Sequence, residues 1–207
     1  MPCDISSLCL RVGVAGLCTY FSGKLKSLLL TDGSPAAVSM ASKNILWHGL
    51  QDIVQSRVLR WGTELGDLQC AYDVVIGCEL MYYRVEVTAL ISAVRSLLRE
   101  GGLFLHAHIF RRAGLEEELM RHLDTIGWST LEIPLRESVD RVERQQHPDW
   151  HSVRCLVSGP AAVVAELGLG HTAWVSFEES ISDSVFDSEG DASGGDEEGL
   201  GLGGLYG

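Results

Sequence analysis

No lysine or arginine follows Arg154 in this chain; all 16 stand at or before that point. The segment from Glu178 to Glu198 holds nine acids among Ser and Gly. Taking those nine away from the formal charge of −12 leaves −3 for the preceding body, close to neutral for a domain of that size. A basic nucleic-acid surface is therefore excluded for body and tail alike. The six cysteines form no C-x-x-C pair and no regular framework, and several lie in apolar runs where a free thiol acts as a small hydrophobe. A reducing compartment follows, the cytoplasm first and the nucleus second.

No run reaches the length needed to cross a membrane, and no membrane partner is expected. The apolar stretch Leu8 to Phe21 lacks the layout of a cleaved signal: Asp4 precedes it, Arg11 interrupts it, and Lys24 and Lys26 come after it. There is no G-x-S-x-G elbow for Ser-His-Asp chemistry and no G-x-x-x-x-G-K-[ST] phosphate loop. His106 and His108 alternate on one strand and so share a face. No third ligand stands nearby, which leaves packed strand histidines as the simpler reading and no metal site.

What is present is alternation. Ser27 to Thr31 reads as a buried strand, and Asp32-Gly33-Ser34-Pro35 as a turn, with Ser34 as N-cap and Pro35 opening a helix. That helix runs to about Trp47 and stops at His48-Gly49. Arg57 to Trp61 reads as a short strand, and Tyr72 to Cys78 as a strand buried on both faces. Val85 to Leu98 carries apolar residues at helical spacing, Gly101-Gly102 ends it, and Leu103 to Phe110 follows as a strand. Leu115 to Ile126 is a second amphipathic helix. Ser129 to Leu135 and Trp150 to Val157 close the body as two strands joined without a helix. The fold class is α/β, a mostly parallel sheet with an antiparallel edge. In such sheets ligands lie beyond the carboxyl ends of the strands, where an acid can take ribose hydroxyls, and Asp32 and Glu79 both stand at such ends.

Four stretches carry a family resemblance: AGLCTYFSGKLKSLLLTDG, RVLRWG, DVVIGCELMYY and LLREGGLFLHA. Over about Ala15 to Pro160 their order and spacing resemble the seven-β-strand S-adenosylmethionine-dependent protein-lysine methyltransferases, nearest to those acting on calmodulin. The resemblance implies a Rossmann-like methyltransferase sheet over residues 1–160, S-adenosyl-L-methionine as cofactor and a lysine-bearing protein as substrate. It also implies site roles. Asp32, with Gly33 beside it, would hold the ribose; Trp61 would lie against the adenine; Cys78 would line the cofactor. Glu79 and Tyr82 would stand where the family has Asp-x-x-Tyr, facing the reacting methyl group and the lysine. The adenine and glutamine methyltransferases' N-P-P-Y loop is absent.

One departure is plain. The family opens with a strand and an E-L-G-x-G-x-G loop, and here the matching positions are Leu8, Cys9 and Leu10. Backbone approach to a cofactor needs glycine. The first strand is then either missing or degenerate, or Leu8 to Val12 forms it and Gly13 and Gly16 make a shortened cofactor-binding loop. Simpler readings stand beside each role: Asp32 as turn chemistry, Glu79 as an acid at a helix N-terminus, Trp61 as a core anchor. Residues 161–176 form a link that packs on the body or makes one short helix. Residues 177–207 read as a disordered acidic, Gly-rich tail. The rival function is a catalytically silent binding module on the same scaffold. A nicotinamide enzyme is a third class, but it gives the R-W-G and E-x-x-Y segments no role.

Overall fold

The computed structural model describes residues 3–8, 16–17, 25–81, 86–109, 113–133 and 153–167. All of them lie in one compact unit, Met1–Trp174. The remaining sequence readings, including those for Gly13, Tyr82 and the acidic tail, fall outside the described residues.

Seven strands form one sheet in the order β3-β2-β1-β4-β5-β7-β6. They are β1 (Cys3–Leu8), β2 (Leu25–Asp32), β3 (Val54–Val58), β4 (Tyr72–Cys78), β5 (Leu98–Ile109), β6 (Trp128–Glu132) and β7 (Val153–Pro160). The first five run parallel. β7 lies antiparallel between β5 and β6, which gives the sheet its antiparallel edge. Helices α1 (Pro35–Trp47), α2 (Val87–Leu97), α3 (Ala113–Thr125) and α4 (Ala161–Glu166), with a short 3-10 turn at Gly66–Leu68, pack with the sheet.

The first strand is in place, at the centre of the sheet, and it is Cys3–Leu8 rather than Leu8 to Val12. Its sequence, CDISSL, hides it. Asp4, Ser6 and Ser7 look like surface residues, yet all are buried. Asp4 is reconciled to burial by Ser27 Oγ at 2.6 Å, Lys26 Nζ at 3.1 Å and Arg99 Nη2 at 2.9 Å, all donating to its carboxylate. Its own N–H donates to Asp73 Oδ2. This knot joins β1, β2, β4 and β5 at their starts. It holds the Asp4 carboxyl down at about 2, with the Ser27 hydroxyl the largest cause.

β3 begins three residues earlier than its sequence suggests and ends before Trp61, because Gly62 at φ +83° makes Arg60 to Thr63 a turn. β5 starts at Leu98, where Tyr72 pairs with it. The register then slips before Val74 meets Leu103, and Gly101 takes φ +77° within the slip. β7 and β6 are displaced by a few residues from their sequence positions. Beyond β7, Ala161–Glu166 is helical, and Val164 is buried where α4 covers β6 and β7.

The two sheet faces carry separate cores. On one, Ile5, Leu28, Leu30 and Val54 meet Ala41 and Ile45 of α1. On the other, Leu8, Leu29, Val75 and Phe104 meet Leu90, Ile91 and Val94 of α2 and Leu119 and Leu123 of α3. Each fully buried Leu or Phe contributes roughly 1.5–3 kcal/mol over leaving it exposed. α2 forms because its apolar residues recur at three- and four-residue intervals. α1 forms because Pro35 sits at its first turn and Gly49, at φ +65°, ends it.

Candidate functional site

The strand order reverses direction of travel at β1: β2 and β3 lie on one side, β4 and β5 on the other. The crevice outside the carboxyl ends of β1, β2 and β4 is where ligands bind in open sheets of this kind. Cross-strand pairs align those ends, with Leu8 opposite both Thr31 and Gly77. Asp32 and Cys78, each one residue further on, thus flank β1 at the rim.

Asp32 ends β2. Its Oδ1 accepts the Ser34 N–H at 2.8 Å, and its carbonyl accepts the Leu59 N–H at 3.0 Å. Arg60 Nε reaches the Gly33 carbonyl at 3.5 Å. These contacts tie the end of β2 to Leu59 and Arg60, the residues just before Trp61. Asp32 does make a turn, as its simpler reading requires, and the turn holds its carboxylate at the rim. Trp61 is half-buried and packed against the core, which matches the anchor reading. Gly33 is exposed, and a Cβ there would meet nothing nearer than 3.8 Å, so nothing among the described residues demands glycine.

Gly16 and Leu17 are helical. A Cβ on Gly16 would come 2.5 Å from Leu30 Cδ2 and 3.1 Å from Ser7 Cβ. Gly16 thus lets a helical segment press onto β1 and β2, the task that the last glycine of a dinucleotide loop performs.

On the other side of β1, Cys78 is the last residue of β4 and is half-buried. Glu79 follows with φ +55°, uncommon for a residue with a side chain. Its N–H donates to Ala107 O at 2.8 Å, and its Oε1 accepts the Ile109 N–H at 2.5 Å. Gly77 makes the following turn feasible. A Cβ there would meet Leu80 Cδ1 at 2.3 Å and Phe104 Cε2 at 3.2 Å, so Leu80 folds back over the bare backbone.

Behind this turn lies what sequence reading only partly found. His106 and His108 do share a face, their rings stacked at 5.7 Å, with Phe104 stacked on His106 at 4.7 Å. They belong to no metal-binding group among the described residues. His108 Nε2 lies 3.4 Å from Glu116 Oε2 of α3, and His106 Nε2 lies 3.5 Å from Ser158 Oγ of β7. Glu116 is ion-paired with Arg154 Nη1, and Arg154 Nη2 reaches Glu132 Oε2 at 2.5 Å. Burial above all, with the positive charge of Arg154 nearby, pushes His106 down to about 3, so it is neutral. The alternation of histidines was the visible signal; the acidic partner of His108 is eight residues away on another element.

Chemically, the end of β2 carries an acid suited to a diol, and Glu79 follows the end of β4 on the other side of β1. The donor set fits a nucleoside-bearing cofactor.

The comparisons agree with this architecture. A family model described as lysine methyltransferase matches residues 7–125. Among solved structures, the chain resembles a ribosomal protein L11 methylase from Lactobacillus delbrueckii subsp. bulgaricus (16% identity, 77% of this chain and 71% of that one, TM-score 0.54). It also resembles the geranyl diphosphate C-methyltransferase of Streptomyces coelicolor A3(2), solved with S-adenosyl-L-homocysteine (14%, 75% and 71%, TM-score 0.54). A third neighbour is the [4+2]-cyclase SpnF (13%, 77% and 75%, TM-score 0.58). At such identities the likeness concerns the fold alone, and these three differ in what they act on.

Proposed function

The chain belongs to the lysine methyltransferase family, and on that premise we propose that it transfers a methyl group from S-adenosyl-L-methionine to a lysine of a protein substrate. The observation that carries the reading is the placement of Asp32 and Glu79 at the ends of β2 and β4, on either side of β1 and inside the matched residues 7–125. Asp32 would hold the ribose hydroxyls, Trp61 the adenine side, and Cys78 the wall beside the cofactor. Gly16 supports that end by close packing. When bound, the cofactor supplies a methyl group on a sulfonium, open to attack from the side opposite the sulfur.

The chain's own task is positioning, which can account for most of the rate of such a displacement. The lysine must arrive without its extra proton, since an ammonium has no lone pair to attack with. Glu79, immobilised by Ile109, would mark the floor of the lysine approach, and Tyr82 would orient the amine. Calmodulin is the substrate to try first, on the resemblance noted in the four sequence stretches.

A catalytically silent binding module is the second reading. The clasp that commits the Glu79 carboxylate to Ile109 favours it, together with non-glycine residues at positions 8–10.

The test is methyl incorporation from labelled S-adenosyl-L-methionine into proteins of an extract, with calmodulin assayed separately. Label recovered as N-methyl-lysine after hydrolysis supports the proposal. Label recovered only on other residues, or in no protein, contradicts it.

A further inference from the structure

Arg60 is exposed, and its side chain lies along Gly33, the residue after Asp32. Arg60 Nε is 3.5 Å from the Gly33 carbonyl oxygen, and Arg60 Cγ is 3.8 Å from where a Cβ on Gly33 would stand. The backbone keeps it there. On one side the Leu59 N–H donates to the Asp32 carbonyl at 3.0 Å. On the other, the Arg60 carbonyl accepts the Thr63 hydroxyl at 2.7 Å, in a turn where Gly62 takes φ +83°. Leu59 and Trp61, its chain neighbours, pack on the core, which turns Arg60 outward. Arg57, Arg99 and Arg154 are committed to carboxylates: Asp67, the pair Asp4 and Asp73, and the pair Glu116 and Glu132. Arg60 has no carboxylate partner among the described residues, so its guanidinium is open to a ligand at this corner.

Resting on the methyl-transfer reading above, we propose that Arg60 is a cofactor-binding residue whose guanidinium stacks on the outward face of the adenine. The direction follows from the two ends of the sugar. With the ribose hydroxyls on Asp32, the reacting sulfonium faces Glu79, across β1 at the end of β4. The base leaves the ribose on the opposite side, toward β3, which neighbours β2 away from β1. Arg60, two residues beyond the end of β3, is the cation on that side that touches the residue next to Asp32.

The chemistry suits a base. A guanidinium is planar and more weakly hydrated than an ammonium, and it stacks readily on the π face of a nucleobase. An arginine near this position in a dinucleotide site can instead take a phosphate on the ribose 2′-oxygen. Here Asp32 argues against that ligand, because the phosphate would lie against a carboxylate placed to receive hydroxyls. Both Arg60 and Gly33 are exposed, so the base can reach the guanidinium without any movement of the core.

The test is calorimetric titration of the full chain with S-adenosylhomocysteine and with 5′-methylthioadenosine, which keeps the adenosine and lacks the amino-acid end. Arg60→Ala should weaken both by the same factor, about threefold to thirtyfold, with the thermal midpoint unchanged. Arg60→Lys should regain only part of the loss, since it keeps the charge without the plane. A folded Arg60→Ala variant that binds both probes as tightly as the wild type overturns the role. So does a loss confined to S-adenosylhomocysteine, which would put Arg60 at the amino-acid end, or full recovery in Arg60→Lys. Tighter binding of adenosine 2′-monophosphate than of 5′-methylthioadenosine to the wild type would make Arg60 a phosphate ligand and overturn it too. Arg60→Met, which keeps the stem, gives the same reading if Arg60→Ala fails to fold. A folded wild-type chain that binds neither S-adenosylhomocysteine nor 5′-methylthioadenosine would instead remove the methyl-transfer reading, and this role with it.

Discussion

The Glu79 carboxylate accepts the Ile109 N–H at 2.5 Å while the Glu79 backbone holds φ +55°. One residue therefore both bends the chain out of β4 and fastens the end of β5 beside it. A left-handed glutamate persists only where its surroundings over-determine it, and such positions cluster at functional sites. Glu79→Ala should lower stability by about 1 kcal/mol, the low end of the cost of leaving a donor unpaired, since Ile109 is half-buried. Glu79→Gln, whose amide oxygen can still accept, should recover most of the loss. Urea unfolding of the two variants checks this; equal losses would mean the clasp does not depend on the acceptor.

Gly77 is the second element of that turn. Gly77→Ala places a Cβ 2.3 Å from Leu80 Cδ1 and 3.2 Å from Phe104 Cε2, so Leu80 must move. Overpacking of this kind costs about 1–3 kcal/mol. Gly77→Ala paired with Leu80→Ala should lose less than the two single changes added together. Additive losses in thermal unfolding would show that Leu80 does not rest on Gly77.

The buried ion pair of Glu116 and Arg154 predicts an asymmetric result. Arg154→Met strands the Glu116 carboxylate, which is 3% exposed, and should cost about 3–5 kcal/mol. Adding Glu116→Gln should restore a large part of it. A double variant no more stable than Arg154→Met would remove the claim that stranded charge is the cause.

Acid should destabilise the chain in two windows. His106 is lowered from 6.5 to about 3, so between those values the unfolded chain takes up a proton that the folded chain refuses. Stability therefore falls as pH drops below about 6.5, by up to about 1.4 kcal/mol per pH unit for this group. His106→Gln should flatten that slope. Asp4 is lowered from 3.8 to about 2, so its contribution is whole above pH 3.8 and lost as pH falls toward 2. Denaturation midpoints measured across this range, with Asp4→Asn beside His106→Gln, separate the windows. An unchanged slope in His106→Gln would refute the first.

Much of the architecture was legible in sequence because local signals agreed. Pro35 and Gly49 bracket α1, the apolar spacing of α2 is helical, and Tyr72–Cys78 reads as a strand buried on both faces. The first strand was not legible, because CDISSL becomes a central strand only when Lys26, Ser27 and Arg99 satisfy Asp4. Trp61 was placed on a strand that ends three residues sooner, since the turn depends on Gly62 more than on apolar content. Asp32 and Glu79 were legible as strand-end residues, and the structure puts them at the ends of β2 and β4. The clasp from Glu79 to Ile109 and the line from His108 through Glu116 to Arg154 were not found. They join residues on different elements, and no spacing along the chain encodes such contacts.

The central claim is a cofactor-binding methyltransferase site at the Asp32 corner. Calorimetric titration of S-adenosylhomocysteine into the purified chain tests it most directly, with Asp32→Ala as the companion. Saturable binding that Asp32→Ala weakens at least tenfold, in a variant that stays folded, is the predicted result. A folded wild-type chain that takes up no S-adenosylhomocysteine, or one whose affinity is indifferent to Asp32→Ala, would contradict it.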